Sequence, residues 1–412
     1  MVPDGWKRIT LGEVAEFKNG LNFTKADKGE AIKIVGVGDF KDLSELRSTD
    51  LLETIYVNNK VRDEELLEDG DLLFVRSNGN KDLIGRCLFF PEVATRLSYS
   101  GFTIRGRVNK DLALPEYIAS VARSSMMKQQ ISRSGGGTNI SNLSQQILKD
   151  VAFLLPPLPE QKKIAQTLST WEKAIITTEQ LLANSQQQKK ALMQQLLTGK
   201  KRLVDKNGDR FSGEWKVSKL SLLFERVTTK NNGQSTNVVT ISGQHGLIRQ
   251  EDFFKKTVAS KTLDGYFLLK QGQFAYNKSY SNGYPMGAIK RLNRYSDGVV
   301  TTLYICFEIS DSNKADSDYW EHYFESGLLN KGLSQIAHEG GRAHGLLNVK
   351  PSDFFSLQVP VPSIEEQQKV AAVLSAADQE TMVLKQKLDA LKQEKRALMQ
   401  QLLTGNSRVK IN

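Results

Sequence analysis

Two long stretches of the chain repeat apolar residues at alternating steps of four and three positions. Eight of the ten positions counted from Val370 are apolar, as are seven of the ten counted from Ile164. This spacing is typical of long helices that pair as a coiled coil. Pro159 marks a helix start, and Gly199 and Gly405 mark helix ends. The pattern therefore predicts two helices of about 38 residues, each ~57 Å long at ~1.5 Å per residue.

A helix with a single apolar stripe needs a partner along that stripe. The second long helix is the nearest candidate, and antiparallel pairing would give the molecule a pseudo-two-fold axis. An intermolecular coiled coil is the alternative. The side chains expected to pack the helix pair are Ile164, Leu168, Trp171, Ile175, Leu182, Val370, Leu374, Leu384, Leu388 and Leu391.

The two helical stretches belong to a larger internal repeat. Residues Ala191–Gly199 and Ala397–Gly405 are both ALMQQLLTG, and the offset of 206 holds without a gap over about fifty residues. Upstream, Trp6-Lys7 matches Trp215-Lys216 at an offset of 209. A period this long indicates duplicated domains rather than a solenoid array. The chain is thus a tandem repeat in which each copy is a variable block followed by a near-constant segment.

The variable blocks mix strand and helix patterns, which predicts an α/β (α+β) fold class. The predicted strands are Ile32–Val37, Asp71–Val75, Phe102–Val108, Val238–Ile241, Phe274–Tyr276 and Thr301–Ile309, and the predicted helices are Glu116–Gln130 and Tyr319–Leu329. Gly70–Phe74 aligns with Gly272–Tyr276 at an offset of 202, so the two blocks share a framework. We expect domains at 1–155 and 215–361, long helices at 156–200 and 362–405, a linker at 201–214 and a tail at 406–412.

Composition narrows the class of protein. The chain has 412 residues, a formal net charge of +10 and a pI of about 9.3, which hints at a polyanionic partner. It shows neither an apolar run of the ~18 residues that a membrane span needs nor a signal peptide, so a cytoplasmic location without membrane association is expected. Its two cysteines form no motif and fit a reducing compartment.

Motifs for catalysis or metal binding are missing from the sequence. It contains no phosphate-binding P-loop, no G-x-G-x-x-G, no H-E-x-x-H and no G-x-S-x-G. Asp4, Glu16 and Lys18 form one short nuclease-like pattern that could hold Mg²⁺. The second copy lacks these three residues at the comparable places, which favours chance. We therefore predict no catalytic residues, no metal site and no cofactor bound by this chain.

Loops with base-reading and phosphate-binding chemistry are stronger candidates. Arg and Asn can contact guanine and adenine edges, Lys and Ser reach phosphates, and glycine allows close backbone approach. A solvated hairpin tip or a hinge is the alternative for each loop. The candidate DNA-contacting residues are Lys33, Arg76, Ser77, Asn78, Lys81, Arg105, Arg107, Thr138, Asn139, Gln244, His245, Asn277, Lys278, Tyr280, Asn282, Tyr284, Arg342 and His344.

The order of these segments resembles a known family. The run Pro156–Ala165 (PPLPEQKKIA), the VPVPSIEEQQKVAAVL segment of the second copy and the two LLTG ends are similar to the HsdS-like specificity subunit of type I restriction–modification enzymes. The second copy departs slightly, with Ser363-Ile364 in place of Pro-Leu. The resemblance implies two target-recognition domains, each reading one half of a bipartite double-stranded DNA site. It also implies that the helix pair sets the spacing of the two halves and docks methyltransferase subunits.

The resemblance further implies partners and cofactors outside this chain. Two methyltransferase subunits and restriction/translocase subunits are expected, with S-adenosylmethionine, Mg²⁺ and ATP bound by those partners. A specificity subunit of a related system that cuts beside its site remains open. So do a nuclease that uses the Asp4 pattern and a coiled-coil scaffold that binds only protein.

Overall fold

The computed structural model describes residues 2–24, 26–40, 43–134, 142–254, 262–339 and 347–411. The chain divides into two compact units. Unit 1 comprises Met1–Glu179 and Gln386–Asn412, and unit 2 comprises Gln180–Lys385. The division falls inside the two long helices, so each unit contains one variable block and part of both helices.

Unit 1 is built around a four-stranded antiparallel sheet. Its elements are β1 (Lys7–Thr10), β2 (Ala15–Asn19), β3 (Glu30–Val35), β4 (Thr54–Val57), β5 (Leu72–Val75), β6 (Cys87–Phe89), β7 (Leu97–Tyr99), β8 (Thr103–Val108), α1 (Pro115–Ala122), α2 (Ser125–Ser134), α3 (Gln145–Lys149), β9 (Ala152–Leu155) and the beginning of α4 (Leu158–Leu196). The main sheet has the order β2-β8-β5-β6. A second sheet has the order β4-β3-β7, and β1 pairs with β9.

Strand β5 has both of its faces buried. Leu72 and Phe74 point into a core that includes residues of α1, α2 and α4. Leu73 and Val75 point into a second core on the other face of the sheet. Because side chains alternate along a strand, a strand covered on both faces reads as a continuous apolar run. This explains the unbroken LLFV sequence of β5.

The predicted helix Glu116–Gln130 is in fact two helices, because α1 ends at Ala122 and α2 begins at Ser125. Between them, the Ser124 hydroxyl accepts a hydrogen bond from the backbone N–H of Met127 at 3.2 Å. Serine at such a position caps a new helix, because it satisfies a donor in the first turn that has no helical partner.

Unit 2 repeats the central sheet of unit 1. Its elements are β10 (Lys216–Lys219), β11 (Phe224–Arg226), β12 (Val239–Ser242), β13 (Gly246–Arg249), α5 (Gln250–Phe254), β14 (Phe267–Lys270), β15 (Phe274–Asn277), β16 (Ala288–Arg291), β17 (Asp297–Val300), β18 (Ile305–Ile309), α6 (Ser317–Glu325), α7 (Asn330–Ile336), β19 (His338–Glu339), β20 (Leu347–Asn348), α8 (Pro351–Ser356), β21 (Gln358–Val361) and the beginning of α9 (Ile364–Leu403). The main sheet is β11-β18-β15-β16, with smaller pairs β10-β21, β12-β13, β14-β17 and β19-β20.

The strand pairings align the two main sheets residue by residue. Phe74 pairs with Ile104 in unit 1, and Tyr276 pairs with Ile305 in unit 2. The offset between the two copies is therefore 202 in β5 and β15, as the sequence predicted, and 201 in β8 and β18. The predicted strand Thr301–Ile309 is too long, because β18 begins only at Ile305. The preceding residues form a turn that is closed by the Tyr304 N–H bonding to the Thr301 carbonyl at 3.2 Å.

The long helices α4 and α9 run antiparallel inside each unit. In unit 1, Glu172 forms an ion pair with Lys395 and Glu179 one with Lys392, so residue numbers rise on one helix and fall on the other. In unit 2, the Ser185 and Thr381 hydroxyls lie 3.1 Å apart, and Lys189 pairs with Asp378. Buried positions of the predicted packing set are Ile164, Leu168, Ile175, Val370, Leu374 and Leu388, whereas Trp171, Leu182, Leu384 and Leu391 are half-buried.

Both helices end where the glycines predicted. α4 ends at Leu196 and α9 at Leu403, and Gly199 and Gly405 follow with φ of +69° and +70°. Glycine adopts this left-handed conformation without strain, so it can end a helix by reversing the backbone.

At the start of each long helix, a glutamate accepts hydrogen bonds from a tryptophan and an arginine of the same unit. In unit 1, the Glu160 carboxylate accepts hydrogen bonds from the Trp6 indole at 3.1 Å and from Arg408 Nε at 3.0 Å. In unit 2, the corresponding Glu366 accepts bonds from Trp215 at 3.0 Å and from Arg202 Nη2 at 2.7 Å. We call each set a Trp–Glu–Arg latch. Both glutamates are almost fully buried, at 3% and 1% exposed.

The glutamine after each latch glutamate holds the adjoining domain. Gln161 Oε1 accepts a bond from the Leu114 N–H at 2.8 Å, just before α1. Gln367 Oε1 accepts one from the Asp316 N–H at 2.9 Å, just before α6. The repeated Glu-Gln pair thus connects each long helix both to its latch and to its domain.

Candidate nucleic-acid interface

The candidate loop of unit 1 follows the central strand β5. The Arg76 and Ser77 N–H groups donate to the Phe102 carbonyl at 2.8 and 3.3 Å, and Arg76 Nη1 donates to the Gly101 carbonyl at 3.2 Å. Asn78 Oδ1 accepts the Asn80 N–H at 2.8 Å and shapes the turn. Arg76, Ser77 and Asn78 are half-buried, and Lys81 is exposed. Backbone contacts therefore hold a short polar turn at the end of the sheet, with an arginine at its base.

The corresponding loop of unit 2 follows β15. Lys278 is half-buried, and its Nζ lies 3.4 Å from the Val349 carbonyl. Burial lowers the pKa of Lys278, and the charge of Arg226 lowers it further. Because a buried cation beside a second cation is unfavourable, a negative ligand such as a phosphate would be stabilised here. Asn277 lies at the base of the loop, and Tyr280 and Asn282 are exposed along it.

Tyr284 supports the site rather than offering its hydroxyl to a ligand. Its hydroxyl lies 2.5 Å from Glu325 Oε1 and 2.9 Å from the Gly243 carbonyl, and it accepts a bond from Lys290 Nζ at 2.9 Å. Burial and the neighbouring carboxylate raise the pKa of Tyr284. The predicted DNA contact through this side chain is therefore corrected to a positioning role, which holds the turn bearing the exposed residues Gln244 and His245.

Two further candidates, Arg105 and Arg107, are structural. Arg105 is 5% exposed and donates to the Glu64 and Leu66 carbonyls at 2.8 and 3.0 Å. Arg107 forms a two-nitrogen ion pair with the buried Asp71, at 3.0 and 2.8 Å. Side chains alternate between the two faces of their strand, as predicted. A loop covers the face on which the two arginines lie, although alternation alone would leave that face exposed to solvent. Both guanidinium groups are thus engaged within the domain, and their contact with DNA stays a prediction.

Lys33 is also engaged within the domain, since its Nζ donates to the Thr49 carbonyl at 2.8 Å. Four candidates, Thr138, Asn139, Arg342 and His344, lie outside the described residues. The residues that follow the two segments outside the described residues bind to the candidate loops. The Leu143 N–H donates to the Arg76 carbonyl at 2.8 Å, and the Leu347 N–H donates to the Lys278 carbonyl at 2.9 Å.

A cavity of about 630 Å³ lies beside the unit 1 loop. The basic residues among its described lining are Lys81, Arg86, Arg123 and Lys128, with Asp82 as the acid. Burial lowers the pKa of Arg123, whose Nη2 donates to the Ser44 carbonyl at 2.6 Å. The cavity thus adds positive charge next to Lys81.

The described parts of the chain show neither a metal-binding cluster nor a membrane-spanning helix. No group of three or more His, Cys, Asp or Glu side chains there is arranged to hold a metal ion. Lys18 of the nuclease-like pattern forms an ion pair with Glu64 at 3.0 Å, with Glu64 at 56% side-chain exposure. None of the helices in these parts is long and apolar enough to cross a membrane.

Two exposed apolar side chains next to the candidate loops were not predictable from the sequence. Phe102 is 64% exposed and Leu303 is 59% exposed. The predicted strands Phe102–Val108 and Thr301–Ile309 put Phe102 at a strand start and Leu303 inside a strand. The structure places each in a turn just before the central strand β8 or β18. The offset of 201 that relates the two residues follows from the strand pairings and not from the sequence.

These features define a protein with two similar α/β domains, each presenting a basic turn at the end of its central sheet. Comparison with known proteins shows which proteins the chain resembles. Residues 3–184 match the family model for the type I restriction modification DNA specificity domain. The chain is 26% identical over 198 residues to the StySPI specificity subunit of Salmonella potsdam, an alignment covering 47% of this chain and 42% of that relative.

Other relatives extend the similarity to the full length. A putative MjaX specificity subunit of Methanocaldococcus jannaschii is 23% identical over 430 residues, covering 99% of this chain and 95% of the relative. The crystal structure of a type I S subunit from M. genitalium shares the fold, with a TM-score of 0.57 at 14% identity over 97% of this chain and 96% of that one. The chain is thus similar over nearly its full length to specificity subunits of type I restriction enzymes, and it shares the fold of a solved S subunit.

Proposed function

We propose that the chain recognises a bipartite DNA sequence for a type I restriction–modification enzyme. Each recognition domain reads one half of the site with the turn that follows β5 or β15. One observation carries the proposal: the same basic turn is built twice, around Arg76 and around Lys278, on sheets of the same strand order. Two turns on the same backbone framework with different side chains would suit the recognition of two different DNA half-sites.

The proposal assigns catalysis to other chains. Methyltransferase subunits would dock on the helix pair and bind S-adenosylmethionine, and restriction/translocase subunits would bind ATP and Mg²⁺. The complex would work in the cytoplasm. The helix pair would set the distance between the half-sites, because α4 and α9 each continue from one unit into the other. The StySPI relative and the putative MjaX relative are named specificity subunits of type I restriction enzymes, which supports a recognition role for this chain.

A genome-wide map of modified bases tests this proposal. The chain is co-expressed with the modification subunit of its own operon in a host that lacks DNA methylation. The expected result is one motif with two specified halves and a fixed gap. An assembled complex that modifies no motif would contradict the proposal and favour a protein-binding scaffold.

The alternative nuclease is tested on the purified chain alone. Metal-dependent DNA cleavage that is abolished by Asp4→Asn would favour it. A matched control is Asp205→Asn, because Asp205 lies in the linker and bonds only to neighbouring residues such as Asn207 and Asp209.

A further inference from the structure

Phe102 and Leu303 occupy the same position in two copies of one turn. In unit 1, the Thr103 N–H donates to the Ser100 carbonyl at 2.9 Å and closes the four-residue turn 100–103. In unit 2, the Tyr304 N–H closes the turn 301–304 on the Thr301 carbonyl at 3.2 Å. Each apolar residue is the third residue of its turn. The offset of 201 between them is the offset of β8 and β18, so the equivalence is structural.

A large apolar side chain is unusual at this place. The third position of an exposed turn favours glycine and small polar residues. Burying a phenylalanine or leucine side chain stabilises a fold, because apolar surface leaves water. At 64% and 59% exposure, the two side chains forgo much of that gain. A single exposed apolar residue is ordinary, but two at matched positions of otherwise different loops indicate a shared role.

Both residues lie next to the basic residue of the candidate interface. The pairing of Phe74 with Ile104 places Arg76 opposite Phe102, and the Arg76 N–H bonds the Phe102 carbonyl. In unit 2 the ladder ends at the Tyr276–Ile305 pair, and the same register continued by two residues brings Lys278 level with Leu303. Each domain therefore carries one half-buried basic residue and one exposed apolar residue near adjacent strand ends.

We infer that Phe102 and Leu303 are specificity-determining residues that read a thymine through its C5-methyl group, one in each half-site. The major groove offers this methyl group as its one apolar feature, and apolar side chains recognise it. The adjacent Arg76 or Lys278 would anchor the neighbouring phosphate or guanine. The inference rests on the proposed function, because it needs DNA at this end of each sheet.

Base-modification maps of single variants test the inference, starting from the motif of the unmodified complex. Phe102→Ala should make one thymine position degenerate in one half-site, and Leu303→Ala should do so in the other half. The matched controls are Leu51→Ala in unit 1 and Leu222→Ala in unit 2, which truncate side chains that are 98% and 63% exposed away from these turns. Both controls should leave the motif unchanged.

A binding measurement then isolates the methyl group. On a duplex carrying the motif, deoxyuridine in place of the assigned thymine should weaken binding of the assembled complex about 3–10-fold. The Phe102→Ala complex should be insensitive to the same replacement. Equal melting temperatures of variant and parent exclude a folding defect.

Unchanged motifs in both variants would overturn the inference, and so would a uniform loss of affinity without degeneracy. Relaxed specificity that is insensitive to deoxyuridine would also overturn it, because the apolar contact would then not involve the methyl group. A parent complex that yields no motif is a different failure, since it contradicts the proposed function itself.

Discussion

Arg408 donates hydrogen bonds from two guanidinium nitrogens to the carboxylate of Glu160, which lies 248 positions earlier in the chain. Its guanidinium also lies 5.8 Å from the centre of the Trp6 ring. Arg202 and Glu366 repeat this arrangement in unit 2, with Arg202 5.6 Å from the Trp215 ring. In each unit, an arginine a few residues beyond the end of one long helix is thus bound to the start of the other.

The latch of unit 1 makes a stability prediction. Arg408→Ala leaves the buried Glu160 carboxylate with the Trp6 indole as its remaining side-chain donor. Removing one partner of a buried pair is costly, although solvent screens an arginine that is 44% exposed. We expect the free energy of unfolding to fall by about 1–3 kcal/mol in urea titrations.

The matched control for the latch is Arg396→Ala. Arg396 is an exposed arginine of α9 whose Nε donates to the Lys392 carbonyl at 3.2 Å. Its loss should change the free energy of unfolding by no more than about 0.5 kcal/mol. Equal losses in the two variants would show that the latch contributes nothing specific.

His322 predicts a pH dependence of stability. The side chain is 7% exposed, its Nε2 lies 3.1 Å from the Ser375 hydroxyl, and its Nδ1 lies 3.6 Å from Asp378. Burial lowers the pKa of His322, and Lys189 lowers it further, against the opposing effect of Asp378. The unfolded chain therefore binds a proton at a higher pH than the folded chain does.

The sign follows from proton linkage. Stability that is present above the unfolded pKa of about 6.5 should be lost as the pH falls through that value toward the folded pKa, by at most about 1.4 kcal/mol per pH unit. His322→Gln should remove this part of the pH dependence. Urea titrations at several pH values between about 5 and 7.5 measure it. A parallel profile in the variant would contradict the prediction.

Arg76→Ala separates base reading from phosphate binding. If Arg76 reads a base, its loss should relax one position of one half-site at a cost of about 1–3 kcal/mol. If it binds phosphate, its loss should weaken all sequences alike and reduce the salt slope by about one. Binding measured at several salt concentrations distinguishes the two. An effect on the other half-site would contradict both readings.

Lengthening both helices tests their role in spacing. One heptad inserted after Gln180 and one after Gln386, positions that are 206 apart, adds ~10 Å while preserving the apolar stripe. The gap of the DNA motif should grow by about 3 bp at ~3.4 Å per base pair. An insertion in α4 alone should instead break pairs such as Glu179–Lys392 and lower stability. An unchanged gap in the doubly lengthened chain would contradict the spacer role.

The long helices were predictable because their apolar spacing and terminal residues are local signals. Leu158–Leu196 and Ile364–Leu403 match the predicted helices within a few residues. The burial of Arg105 was not predictable, because the loop carbonyls that bind it lie about 40 residues away in the sequence. The exposure of Phe102 was not predictable for a related reason, because the start of β8 is set by its pairing partners and not by its own sequence.

The pairing of β1 with β9 has an evolutionary consequence. Lys7 lies opposite Leu155, and Thr10 opposite Ala152, so the chain enters and leaves the first recognition domain through two neighbouring strands. Strands β10 and β21 do the same for the second domain. Because such ladders are held by backbone hydrogen bonds, they tolerate many side chains. We therefore expect that a whole domain can be exchanged between chains of this fold without any change to the long helices.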